Sequence, residues 1–162
     1  MKITFIQTGG TIDKDYPQKI GGYPFEISEP AVKRILEKLN PSFEYEIFTI
    51  SKKDSQDITD EDREKIYKTV KELENDKIII THGTDTLIET AKKLNDLKNK
   101  VIILTGAVKP EKFTDSDAPI NVGVAIGAIN VLKEGIYIAM NGRIYHWDKV
   151  RRDLKTGKFI ES

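Results

Sequence analysis

This chain has no cysteine. That excludes disulfides, thiolate metal sites and a thiol nucleophile together. It has only two histidines, His82 and His146, far apart in sequence, so a histidine-built metal site is not expected. Neither sign of charge is in excess. The 26 Lys and Arg balance 26 Asp and Glu, for a formal net charge of zero. The basic surplus typical of nucleic-acid binders is missing, and so is one obstacle to self-association. Long hydrophobic runs are missing too. A membrane helix needs roughly 20 apolar residues, and no segment approaches that. The run at residues 3–6 is also too short for the core of a signal peptide. These absences lead to the expectation of a cytoplasmic protein with no membrane or nucleic-acid partner. A length of 162 residues fits one domain with a core of its own.

What is present is a regular alternation. The segments KITFIQT, YEIFTI, KIIITHG, VIILTGA and GIYIAM read as strands. Several are near-continuous apolar runs, the pattern of a parallel sheet covered on both faces. Helix-period segments separate them. Val32, Ile35, Leu36 and Leu39 share one face after Ser28, with Pro30 in the first turn. Thr59 and Asp62 form a capping-box pattern before the stripe Ile66, Val70 and Leu73. Thr86 and Glu89 repeat that pattern before Leu87, Ile88, Ala91 and Leu94. Residues 119–132 are apolar almost all round, which predicts a helix buried on more than one side, in the core or at a subunit contact. This βαβ alternation predicts a doubly wound α/β domain, flavodoxin-like (Rossmann-like), with a mostly parallel sheet. The tail after residue 140 reads as a C-terminal β-hairpin extension.

Ligands of open α/β sheets bind beyond the carboxyl ends of the strands. Polar residues and glycines gather there in this sequence. Strand one ends in Thr8-Gly9-Gly10-Thr11, strand two leads to Ser55-Gln56-Asp57, strand three ends in THGTDT, and strand four ends in Thr105-Gly106-Ala107. TGGT lacks the GxGxxG spacing of a dinucleotide fold and the GK[ST] ending of a P-loop, which argues against a phosphate cradle. In HGTDT, Thr86 suffices to cap the helix, which leaves Thr84 and Asp85 free to hold a ligand.

TGGTI, SQD, ITHGTDT and TGAVKP…DSDAPINVGVAI, in that order and spacing, resemble the L-asparaginase family of threonine-nucleophile amidohydrolases. The resemblance covers essentially the whole chain. It corresponds to the N-terminal domain of the usual two-domain enzyme, so the expectation is a single domain, 1–162, without the second. It implies hydrolysis of asparagine or a related small amide, with no metal or organic cofactor. Thr11 then resembles the nucleophile, Thr84 the second catalytic threonine, and Asp85 the ligand of the substrate ammonium. Ser55 and Gln56 resemble the residues that hold the amino-acid end, with Gly10 and Gly83 lining the site and Ala107 near the leaving amide. Two positions depart from the family. Its tyrosine near the nucleophile falls in register on Phe25. Tyr23 is then the candidate and Tyr16 the alternative, on a loop at 13–25 that the resemblance makes a lid. Its lysine after strand five falls on Arg152, which keeps the charge but cannot accept a proton; Lys149 and Lys155 are the alternatives. A homodimer through the 119–132 helix is expected. The competing expectation is a non-catalytic amino-acid-binding module of the same fold.

Overall fold

The computed structural model describes residues 1–17, 21 and 25–162. Its elements are β1 (Lys2–Gly9), β2 (Lys14–Asp15), β3 (Glu26–Ile27), α1 (Ala31–Leu39), β4 (Glu44–Lys53), α2 (Asp60–Glu72), β5 (Lys77–Thr81), α3 (Leu87–Lys93), β6 (Val101–Thr105), α4 (Ala118–Ile129), β7 (Gly135–Met140), β8 (Arg143–His146), β9 (Val150–Arg152) and β10 (Phe159–Glu161). Short 3₁₀ turns follow β1 at Thr11–Asp13 and β4 at Ser55–Asp57.

Six strands form the main sheet in the order β4-β1-β5-β6-β7-β8. The first five are parallel and β8 returns antiparallel to β7. Counting parallel strands only, the order is 2-1-3-4-5, the flavodoxin-like arrangement with its switch point beside β1. The period of two along each strand divides the core. Ile3, Phe5, Ile79 and Ile103 face α1 and α4, while Ile6, Ile78, Ile80, Ile102 and Leu104 face α2 and α3. Both faces being covered explains why β5 and β6 read as unbroken apolar runs.

The tail is more than one hairpin. β7 and β8 join through Asn141 and Gly142, whose φ values of 53° and 77° suit a tight hairpin turn. β9 and β10 then form a separate two-stranded ribbon. It is anchored at Phe159, whose N–H donates to Asn141 Oδ1 (2.8 Å) and whose C=O accepts from the Tyr145 hydroxyl (2.8 Å).

Two local expectations need correction, at Thr86 and at Leu39. The Thr59–Asp62 capping box forms as read, but Thr86 makes no side-chain cap. Its hydroxyl donates instead to Ser55 O (2.6 Å), in the turn after β4, two strands away in the sheet. Leu39 is exposed at the end of α1, and the buried face of that helix is Ala31, Val32, Ile35 and Leu36. Helix α4 buries one face within the chain, through Val122, Ala125 and Ile129. Pro119, Ile120, Gly123 and Gly127 on the other face are exposed.

Candidate active site

The TGGT turn is a backbone interlock. Gly9 (φ 114°) packs against Lys53 at the end of β4, where an added Cβ would lie 2.3 Å from Lys53 O. Gly10 (φ 87°) packs on Gly83, with only 2.4 Å from a Cβ position to its Cα and N. Gly83 in turn abuts Ser55. No side chain fits at any of these contacts, so glycine is dictated by close approach as well as by φ. The interlock brings the ends of β1, β4 and β5 together. Thr8 supports it from below, its hydroxyl donating to Thr81 O (2.8 Å). His82 does the same from behind. It is fully buried, with Nδ1 at 2.8 Å from Gly83 O and Nε2 at 2.9 Å from the Thr90 hydroxyl. A carbonyl only accepts, so Nδ1 carries the hydrogen and Nε2 accepts from Thr90. Burial pushes the imidazole pKa down to about 4, so it is neutral near pH 7.

Above the interlock lies a cavity of about 420 Å³ lined by Thr11, Lys14, Asp54, Ser55, Gln56, Asp57, Gly83, Thr84, Asp85, Val108 and Arg152. It brings together Thr11, Ser55, Gln56, Gly83, Thr84, Asp85 and Arg152, all expected from the sequence. Asp85 ties three of these residues together. Its Oδ2 accepts from Gln56 Nε2 (2.8 Å), its Oδ1 from Arg152 Nη1, and its N–H donates to Ser55 Oγ (3.2 Å). The Gln56 hydrogen bond first, and the Arg152 guanidinium with it, hold the Asp85 carboxyl below its ordinary value. Arg152 is itself braced by a bond from Nε to Gly157 O (3.2 Å).

Other expected residues lie elsewhere. Gly10 sits under the wall, and Ala107 is buried beside Val108, which takes the lining position. Tyr23 lies outside the described residues. Tyr16 is exposed and packs edge-on against Phe25, which packs against Phe113. Lys149 and Lys155 are not on the cavity wall, among the described residues. Four wall residues were not among the expected ones, Asp57, Val108, Lys14 and Asp54, and the last two form an ion pair at 3.0 Å. The signal for the ion pair was position: Asp54 directly precedes SQD and Lys14 lies two residues past TGGTI. Larger concavities along α2 and α3, one of about 680 Å³, are furrows between exposed Lys, Asp and Glu side chains and gather no strand-end residue. Among the described residues, no cluster of His, Asp or Glu suits a metal ion, and no helix is long and apolar enough to cross a membrane.

Comparison with known proteins places this geometry. The sequence model of the family described as "Asparaginase, N-terminal" matches residues 2–156. An L-asparaginase of Thermococcus kodakarensis is 33% identical over 150 residues, covering 89% of this chain and 45% of that protein. The solved structure of the thermostable L-asparaginase from that organism superposes with a TM-score of 0.84 at 30% identity, covering 99% of this chain and 51% of that one. A glutamyl-tRNA(Gln) amidotransferase component from Methanococcus maripaludis is 28% identical over 151 residues, covering 86% of this chain and 35% of the relative. The chain thus spans between a third and a half of these relatives' length. It belongs to the asparaginase family.

Proposed function

We propose that this cavity hydrolyses the side-chain amide of asparagine, or of a related small amide, with Thr11 as nucleophile. One observation carries the reading: the chain ends of β1, β4, β5 and β9 deliver Thr11, Ser55, Gln56, Thr84, Asp85 and Arg152 to a single cavity at the carboxyl edge of the sheet. A hydroxyl is a weak nucleophile near pH 7 and needs a partner and oxyanion donors. Thr84 faces the same cavity, and the backbone N–H groups of the two turns supply donors. Asp85, Gln56 and Ser55 grip the charged end of the amino acid and so orient its amide. Ammonia leaves as the acyl-threonine forms, and water then releases the acid. No metal or organic cofactor takes part. Residues 1–162 act in this reading as one asparaginase N-terminal-type unit. The exposed apolar face of α4 meets a second copy, so light scattering at micromolar concentration should show a dimer.

The test is ammonia release from asparagine and from glutamine, beside a Thr11→Ala control. Release that vanishes in the control supports the enzyme. A second reading, a non-catalytic amino-acid-binding module, is favoured by the engagement of Asp85 with Arg152, which cannot accept a proton. No release from either amide, with a thermal shift on adding aspartate, selects it.

A further inference from the structure

Two residues beyond Thr11, Asp13 is fully buried. It closes the turn that carries Thr11, and its atoms reach three places. Its N–H donates to Gly10 O (3.2 Å), its C=O accepts from Ser28 N–H (2.9 Å), and Oδ1 accepts from the N–H of Ala31 (2.7 Å), the first residue of α1. Pro30, which precedes the helix, offers no side-chain cap. Asp13 therefore caps α1 from 18 residues away. Its other oxygen, Oδ2, is buried without a hydrogen-bond partner among the described residues.

The charged groups facing this carboxyl are Arg34 on α1 and Lys52 on β4. The Gln7 amide on β1 lies beside it and favours the carboxylate, while its Nε2 also donates to Ser28 O (3.0 Å). Arg34 is tied through Nε to the buried Glu111 (2.5 Å), whose N–H donates to Ile12 O (3.1 Å). Glu111 thus clamps the same turn from the loop after β6. A cap needs only an acceptor. An amide oxygen would serve α1 as well without burying a charge.

We propose that Asp13 is a positioning residue for Thr11: its buried carboxyl docks the turn that carries the nucleophile onto the start of α1. The proposal rests on the reading of Thr11 as nucleophile. Burial pushes the Asp13 carboxyl up to about 6, while the Ala31 bond, the Gln7 amide, Arg34 and Lys52 pull it partly back. Ionisation is easier once the turn undocks and the carboxyl meets water. Local undocking is therefore opposed at low pH and favoured as pH rises through about 6. The full shift corresponds to an increase in local opening on the order of 100-fold.

The test compares wild type, Asp13→Asn and Asp13→Ala. It measures amide hydrogen exchange across the pH range that brackets the Asp13 titration, corrected for intrinsic rates, together with kcat and KM for ammonia release from asparagine. In the wild type, exchange at Ala31 and Ser28 should accelerate through this range, by up to about 100-fold. Asp13→Asn should abolish the acceleration. Asp13→Ala should speed exchange at both amides at every pH and lower kcat by roughly 10- to 100-fold with KM little changed, and Asp13→Asn should restore most of kcat. Should the Ala variant fail to fold, wild type against Asp13→Asn decides alone. Exchange at Ala31 that ignores pH in the wild type overturns the proposal, as does acceleration in the Ala variant spread evenly over all elements. If the wild type releases no ammonia at any pH, the nucleophile reading fails, and exchange still decides whether Asp13 docks its turn.

Discussion

The two halves of the cavity are built by opposite means. On the β1, β4 and β5 side, backbone meets backbone: Gly9 on Lys53, Gly10 on Gly83, Gly83 on Ser55. Buried Thr8 and His82 hold the strand ends from beneath. On the other side, Arg152 projects from a two-stranded ribbon and reaches Asp85 through an ion pair whose side chains are 27% and 43% exposed. The first half leaves its hydroxyls little freedom, which is what preorganised catalysis requires. The second is screened by solvent and adjusts at small cost. Substitutions in the two halves should therefore differ in kind.

Gly10→Ala is expected to have the largest effect. A φ of 87° strains alanine, and the new Cβ would lie 2.4 Å from Gly83 Cα and N, both backbone atoms with nowhere to go. Strain and overpacking together should cost about 3–5 kcal/mol, read as a lower urea midpoint, and the proposed amide hydrolysis should be lost. Gly123→Ala on α4, melted at a concentration where the chain is monomeric, is the control. Nothing lies within 4 Å of its Cβ position, and a helical alanine should gain about 0.5–1 kcal/mol. If the two variants melt alike, the interlock is not what holds the turn.

The next effect lies in pH dependence inside the rigid half. Asp13 is raised from 3.8 to about 6, so the stability it contributes is full below 3.8 and is lost as pH climbs to about 6. His82 is lowered from 6.5 to about 4, so its contribution is full above 6.5 and is lost as pH falls to about 4. Each shift spans about two pKa units, or about 3 kcal/mol. Between the two depressed and raised values the slopes oppose and nearly cancel. Asp13→Asn leaves the His82 slope alone. Its unfolding free energy should then rise by about 3 kcal/mol across the His82 window, where the wild type stays nearly flat. Urea melts at a series of pH values check this, and parallel profiles for the two proteins would refute it.

The same division governs what could be read from sequence. Strands were legible because β5 and β6 are buried on both faces, which leaves their central residues uniformly apolar. The site edge was legible because close approach of strand ends demands glycine, and TGGT and HGT carry those glycines in place. The Thr59 cap was legible because all its partners lie within three residues. Thr86 shows the same local pattern, yet a carbonyl from a distant strand end takes its hydroxyl. Asp13 reads as one more acid in a polar loop, because its burial comes from α1 and from the loop around Glu111, far along the chain. Lys14 and Asp54 were hidden for a related reason: nothing local says that two charges 40 residues apart share one wall of a cavity.

The smallest expected change in stability is at Arg152, and it bears most directly on the chemistry. An ion pair this exposed is worth about 0–1 kcal/mol and weakens with salt. Arg152→Ala should therefore shift the melt by no more than that amount. It should also let the Asp85 carboxyl rise part of the way to its ordinary value, since the larger cause, the Gln56 hydrogen bond, remains. Arg152→Lys tests function. It keeps the positive charge and adds an amine that can surrender a proton. If proton transfer at Thr84 limits turnover, the lysine variant should raise kcat while KM moves little. If kcat does not change although Thr11→Ala abolishes release, the ribbon contributes a fixed charge and the proton acceptor belongs to the interlocked half of the site.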